Sequence, residues 1–313
     1  MTFIHYDPEF PDLLKIVAEE RGIVAPLIEK DYWVTHTLWA LQDAGLEIWF
    51  KGGTSLSKGF GLIQRFSEDL DLKVEGGARS LPSVRNWKSK ERGPRAERRA
   101  FFEALAGLPL VDLDLRLDLA SMGERCTNAG IEARYPGHHL AQMPGGLRPF
   151  VLLEVGDARV RPFVERPISS WVQEQLDAQG MASGFTLNRP TVRCIHPLVT
   201  LLEKLDAISR RFQAGTDPAQ FVRHYEDAAH IIRSETDLPP PEATPTTLAQ
   251  DMFNARQIRK IPSAMNHAFT PSPDSAWESI RRSHEAIAPM FWGGRLTLAE
   301  ASENIKAWIN ERL

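Results

Sequence analysis

The sequence predicts an α+β protein, with a mixed α/β N-terminal half followed by a helical C-terminal half. Three observations carry this. Short apolar or alternating runs bounded by glycine and proline fall between residues 46 and 155. Apolar residues recur at helical spacing before them and again after Pro197. No internal repeat relates the two halves. A boundary is expected between segments 1–190 and 191–313.

Taken in order, Leu13, Leu14 and Val17, then Tyr32, Val34, Leu38 and Leu41, predict two N-terminal helices. Leu46 to Phe50 reads as a short strand running into a Gly52-Gly53 turn, and Ser55 to Ile63 as the helix that follows. Asp69 to Val74 is the next strand. Residues Val111 to Leu119 alternate strictly and predict a strand with one wet face. Pro149 to Val155 is more continuously apolar and predicts a central strand. Leu198, Leu201, Leu202, Leu205 and Ile208 define one buried helical face. A second helix is expected from Pro218 through Tyr225 to Ile232, because proline suits a first turn. Pro239 to Pro245 reads as a stiff connection, and Ser275–Ile287 and Leu296–Leu313 as helices.

Composition sets outer bounds. A chain of 313 residues with 42% hydrophobic and 25% charged residues can bury a sizeable core and is neither disordered nor fibrous in character. The net charge of −4 neither demands nor excludes nucleic acid, because binding depends on where positive charge lies. Cys126 and Cys194 stand far apart without metal-ligand neighbours, as in a reducing compartment. The N-terminus shows no basic region followed by an apolar run, and no stretch reaches the length of a membrane span. A cytoplasmic protein without membrane contact is expected.

The chemistry concentrates between residues 51 and 71. Gly52 and Gly53 permit close backbone approach, and Thr54 or Ser55 would open a helix whose first N–H groups attract phosphate. Asp69 and Asp71, at i and i+2 of a strand, share a face, while Leu70 and Leu72 point to the core. Such a pair suits a divalent ion on a nucleoside triphosphate. Glu68 points away and is excluded. Glu154, an acid in an apolar run, is the candidate third carboxylate. Lys58, one turn into the helix, could reach phosphate, although a surface position is the plainer reading. A Gly-Gly turn alone is usually only a turn, and Asp112 with Asp114 shows how cheap an Asp-x-Asp is; that second pair reads as solvated. Order distinguishes the first: strand, glycines, helix, then carboxylates on the next strand.

On Phe50-Lys51-Gly52-Gly53-Thr54-Ser55-Leu56-Ser57-Lys58 and Arg65-Phe66-Ser67-Glu68-Asp69-Leu70-Asp71-Leu72, the chain resembles the AbiEii/AbiGii nucleotidyltransferase toxins, bacterial members of the DNA polymerase β-like superfamily. Ile28 to Val34 is similar to the family's N-terminal helix signature, Leu202 to Ala207 to its helical lysine motif, and Arg223 to Asp227 to its downstream aspartate motif. Where that last motif often reads Arg-Asp-x-x-Asp, His224 replaces the first acid and Asp227 stays aligned. The resemblance implies a polymerase β-like nucleotidyltransferase core with a mixed sheet over 1–190, and a helical domain over 191–313 supplying the lysine and aspartate motifs. It implies catalytic Asp69, Asp71, Lys204 and Asp227, with Lys204 on the triphosphate and Asp227 holding the lysine or the metal environment. Gly52, Gly53, Thr54, Ser55, Lys58 and Lys204 would bind nucleotide. Asp69, Asp71 and Glu154 would hold Mg2+ or Mn2+, with an NTP as substrate.

The resemblance further implies a toxin of a toxin–antitoxin pair, with RNA, tRNA in particular, as acceptor and a cognate antitoxin encoded nearby. The basic stretch from Arg79 to Arg99 could contact RNA phosphates, and Trp87 could stack a base or pin the loop to the body. Competing readings are a transferase acting on protein or a small molecule, a non-catalytic nucleotide- or RNA-binding module, and, last, a helical transcriptional regulator.

Overall fold

The computed structural model describes residues 2–67, 69–144 and 147–313. Glu68, excluded as a ligand on strand alternation, lies outside the described residues. The chain forms two compact units. Unit 1 comprises Met1–Gly59, Ser67–Val160 and Glu165–Cys194; unit 2 comprises Phe60–Phe66, Arg161–Val164 and Ile195–Leu313.

In unit 1, α1 (Phe10–Arg21) and α2 (Ala25–Asp43) are the two N-terminal helices. A proline at the start of each suits the first turn, and Gly22 in the left-handed region (φ 64°) stops α1. α2 is buried nearly all round, and its acids are held by partners: Glu29 accepts the backbone N–H groups of His138 and His139 at 2.7 and 2.8 Å. The strands are β1 (Glu47–Lys51), β2 (Asp69–Glu75), β3 (Asp114–Asp118), β4 (Asn128–Arg134), β5 (Val151–Gly156), β6 (Phe163–Pro167) and β7 (Thr191–Ile195). They form one mixed seven-stranded sheet in the order β3-β4-β5-β2-β1-β7-β6, which with its helices makes an α+β fold. β2 runs antiparallel to β1 and parallel to β5, and β5 also pairs antiparallel with β4, so β5 is an interior strand, as its apolar run predicts. It nevertheless buries only Val151, Leu153 and Val155 fully, leaving Glu154 on the opposite, wetter face.

Two expectations are corrected. The helix after β1 is α3 (Gly52–Lys58), so the two glycines form its first turn rather than a separate bend, and Gly59 with Gly61 (φ 65°) ends it well before Ile63. The strand expected over Val111–Leu119 is β3 alone. Asp112 sits at φ 58°, outside strand geometry, and is tied to the N-terminus by His5 Nε2 at 3.0 Å and by the Tyr6 hydroxyl, which donates at 2.5 Å. Asp112 is therefore engaged rather than solvated, and does not share a strand face with Asp114. Part of the basic stretch lies in α4 (Arg92–Ala106), where Arg98 is fully buried and donates to the carbonyls of Asn86, Ser89, Arg125 and Cys126.

α5 (Trp171–Ala178) completes the helices of unit 1, its start closed by a Ser170–Gln173 capping box. Unit 2 is helical: α6 (Pro197–Gln213), α7 (Arg223–Arg233), α8 (Pro245–Asn254), α9 (Ser275–Ala286) and α10 (Leu298–Arg312). The five apolar residues predicted for the inner face of α6 are all buried. The helix expected from Pro218 is split: Asp217 caps a 3-10 turn over Pro218–Gln220, Phe221 leaves helical geometry at φ −141°, and α7 starts only at Arg223. α7 packs between α6 and α10. Buried Glu226 on α7 is paired with Arg295 and with His284 at 2.7 Å, so the C-terminal eighty residues brace the helix that carries Asp227.

Candidate active site

The register of β2 and β5 places Asp71 opposite Glu154 and Asp69 opposite Leu152. Leu70 and Leu72 are buried, so Asp69 and Asp71 share the other face, as strand alternation predicts. Glu154 hydrogen-bonds Asp71. Partial loss of hydration, followed by the charges of Asp71 and Asp69, pushes its carboxyl up to about 7. Arg148, the residue immediately before the apolar run, donates to Asp69 Oδ1 at 2.7 Å. Among the described residues no three His, Cys, Asp or Glu side chains are gathered as a closed metal-ligand set. The donor chemistry still suits a hard cation: the charges of Asp71 and Asp69 raise the proton affinity of Glu154 on the adjacent strand, and a divalent ion bound by oxygen ligands would relieve that repulsion.

Gly52 is fixed by this face. Its backbone has φ 78°, and a Cβ at this position would lie 1.8 Å from Asp71 Oδ2. Only glycine allows both the conformation and the contact. Thr54 is buried, and its hydroxyl donates to the carbonyls of Ser67 and Asp69 at 3.1 and 2.7 Å, tying α3 to the start of the carboxylate strand. Ser55 is turned inward beside Cys194, whose thiol burial pushes up to about 12. Lys58 is neither on the surface nor free for phosphate: its ammonium donates to Asp31 at 2.5 Å and to the Ser169 carbonyl at 3.0 Å. Asp31 also accepts the Trp171 N–H at 2.9 Å, so the Ile28–Val34 signature acts here through the buried Asp31, which joins α2, α3 and α5. The glycine-to-serine segment thus shapes the site by backbone, with its side chains spent on structure.

Unit 2 contains a charged cluster of its own. Asp227 is 1% exposed and receives Arg65 through two bonds of 2.8 Å and Lys204 through one of 2.7 Å. Burial alone would raise Asp227, but Arg65 and Lys204 outweigh it and hold the carboxyl well below the usual range. Lys204 is lowered, first by burial and then by Arg65, because two cations share one carboxylate. His224, lowered well below its ordinary value by burial and by Lys204, is neutral, and its Nδ1 accepts from Lys204 at 3.4 Å. The cluster carries surplus positive charge. Arg65 is the member sequence reasoning missed, although it lies within the quoted Arg65–Leu72 motif. Its segment is anchored by Phe66 N–H to Met290 O and by Trp292 N–H to Gln64 O.

Lys73, on the Asp69–Asp71 face by alternation, was also missed. It lies 4.6 Å from the centroid of Trp87, whose ring meets Phe101 and Phe102 edge-on, so Trp87 pins its loop to α4. Arg79, Lys88, Lys90, Arg92 and Arg95 remain exposed.

A mixed sheet carrying an Asp-x-Asp strand, a neighbouring acid and a glycine pressed on the carboxylates is an arrangement suited to a divalent ion and a phosphate group. Residues 37–301 match the nucleotidyl transferase AbiEii toxin family of type IV toxin–antitoxin systems, and the chain belongs to this family. It is thus a nucleotidyltransferase toxin whose system includes an antitoxin. Among solved structures, the nucleotidyltransferase toxin MenT4 of Mycobacterium tuberculosis H37Rv is similar at 16% identity and TM-score 0.38, over 95% of this chain and 97% of that one. JHP933 of Helicobacter pylori is similar at 14% identity and TM-score 0.42, over 91% and 90%. No curated protein matches the chain. Among the described residues no helix is long and apolar enough to cross a membrane.

Proposed function

We propose that this toxin transfers a nucleotidyl group from an NTP to a hydroxyl of RNA, tRNA in particular, in a reaction that depends on Mg2+ or Mn2+. The observation that carries the reading is the β2–β5 register, which sets Asp69, Asp71 and Glu154 together beside a glycine that leaves room for nothing larger. These three carboxylates would hold the divalent ions, which in a two-metal reaction neutralise phosphate charge and lower the pKa of the attacking hydroxyl. In the transfer, the acceptor hydroxyl releases its proton to solvent as its oxygen bonds to the α-phosphorus, the bond from that phosphorus to the oxygen bridging the β-phosphate breaks, and pyrophosphate leaves.

Each group of the chain has a definable part. Asp71 is held in place by its contact with Gly52 and its hydrogen bond with Glu154. Thr54 fixes the backbone at Asp69. Lys204 supplies charge to the triphosphate, a role supported by the surplus cation of its own cluster, and Asp227 with Arg65 orients it. The exposed cations between Arg79 and Arg95 contribute phosphate contacts to RNA. A cognate antitoxin encoded nearby completes the system and need not form a stable complex with the toxin.

The test is incubation of purified protein with each labelled NTP, Mg2+ and total RNA. Label is expected in RNA; label in protein or a small molecule, with RNA unmarked, would refute the acceptor. Asp69→Ala, Asp71→Ala and Lys204→Ala are expected to abolish transfer and relieve growth inhibition, whereas Asp112→Ala does neither. Wild-type activity in the first three would overturn the site.

A further inference from the structure

Unit 2 holds a second place suited to anions, outside the charged cluster of Lys204 and Asp227. The last turns of α6 and the loop after α8 enclose a cavity of about 640 Å3. Arg210, Arg211, Arg259 and Lys260 line it. Asp206 is the acid among its lining residues, and its carboxylate is already used: one oxygen accepts the backbone N–H groups of Arg259 and Lys260 at 2.9 and 3.3 Å, the other accepts Arg210 Nε at 2.8 Å. A buried carboxylate thus draws the backbone of Arg259 and Lys260 to the wall while both residues stay exposed. The crowding of like charge is felt at Arg211, which partial burial and then Arg210 and Arg223 lower.

A neighbouring cavity of about 430 Å3 shares Gln213, Lys260 and Asn266 with the first and adds Phe212 and His267. The two rings meet edge-on, with centroids 5.3 Å apart. His267 is exposed, and its Nε2 is held by the Ser272 hydroxyl and the Asp274 carboxylate, each at 3.1 Å. The surface therefore joins a cationic lobe to a lobe bearing rings and amides. A phosphate backbone with its bases matches both lobes, since cations take phosphates and aromatic faces take unstacked bases. An acidic protein segment would use the first lobe only.

We propose that this two-lobed groove seats a single-stranded stretch of the acceptor RNA, with phosphates against Arg210, Arg211, Arg259 and Lys260 and a base against the Phe212–His267 rings. The proposal rests on the reading that the acceptor is RNA, and adds a binding site made of residues other than the carboxylates. In the full-length protein, Arg259→Glu/Lys260→Glu alters two exposed side chains, so its melting temperature should match wild type. Binding of labelled tRNA, followed by anisotropy between 50 and 200 mM salt, should weaken by about tenfold or more, and the slope of log K against log salt should shrink by about 1.4, as about 0.7 per lost contact predicts for a single strand. The KM for RNA should rise while kcat and the KM for NTP hold, and Arg259→Lys/Lys260→Arg should behave as wild type. Unchanged affinity and slope in the double Glu variant would overturn the groove while leaving RNA as acceptor. Groove-dependent tRNA binding without any labelling of RNA would support the groove and remove the acceptor reading instead. Loss of poly-glutamate binding in the variant, with no tRNA binding by wild type, would make the occupant an acidic protein and overturn the proposal.

Discussion

Replacing Gly52 with alanine tests whether the glycine exists for the carboxylate beside it. The added Cβ would lie 1.8 Å from Asp71 Oδ2 and 2.8 Å from Asp71 Cγ. To reach a normal C···O separation of about 3.3 Å, the oxygen must retreat by about 1.5 Å. A misplacement of about 1 Å in a catalytic group costs on the order of a hundredfold in rate, so transfer should fall at least that far. The left-handed backbone adds a separate cost of about 1–2 kcal/mol in stability. Gly22 supplies the control, because it has φ 64° with nothing within 4 Å of its added Cβ. Gly22→Ala should therefore lose similar stability and keep its activity. The assay is nucleotide transfer from labelled NTP, with thermal melts of both variants. Should Gly52→Ala retain transfer within about threefold of Gly22→Ala, the placement of Asp71 by Gly52 would be refuted.

Asp227→Ala leaves Arg65 and Lys204 buried without their shared anion, and should cost about 3–5 kcal/mol in urea unfolding; a smaller loss than Lys204→Ala would contradict the assigned charge balance. Glu154 has a folded pKa raised to about 7 from an ordinary 4.5, so it binds protons more readily when folded and the stability it contributes is lost as pH rises from about 4.5 to 7. Metal-free protein should accordingly melt lower at pH 8 than at pH 5 by more than Glu154→Gln does, and parallel pH profiles would count against the carboxylate cluster. Because protons and divalent ions compete for the same oxygens, Mg2+ should raise the melting temperature more at pH 8 than at pH 5, an effect that Asp71→Asn should erase.

The readable part of this protein was its local periodicity. Alternation placed Asp69 and Asp71 on one face with Leu70 and Leu72 behind them, and the leucine stripe of α6 gave its buried side, because those outcomes depend on neighbours two to four residues away. Element boundaries were less legible where a long-range tether decides them: Asp112 leaves the strand pattern to meet His5 and Tyr6, more than a hundred residues upstream. The same holds for charge. Nothing local separates Arg98, buried on four carbonyls, from exposed Arg95, or marks Lys58 as the partner of Asp31.

By itself the sequence determined the α+β class, the carboxylate pair and the glycine beside it, together with the family motifs that name the chemistry. Only the tertiary structure decided which charges are spent and which remain. Arg65 and Asp227 stand 162 positions apart, and Arg148 reaches Asp69 across 79. A buried ion must find its counter-charge wherever the fold brings one, and no spacing along the chain encodes that meeting.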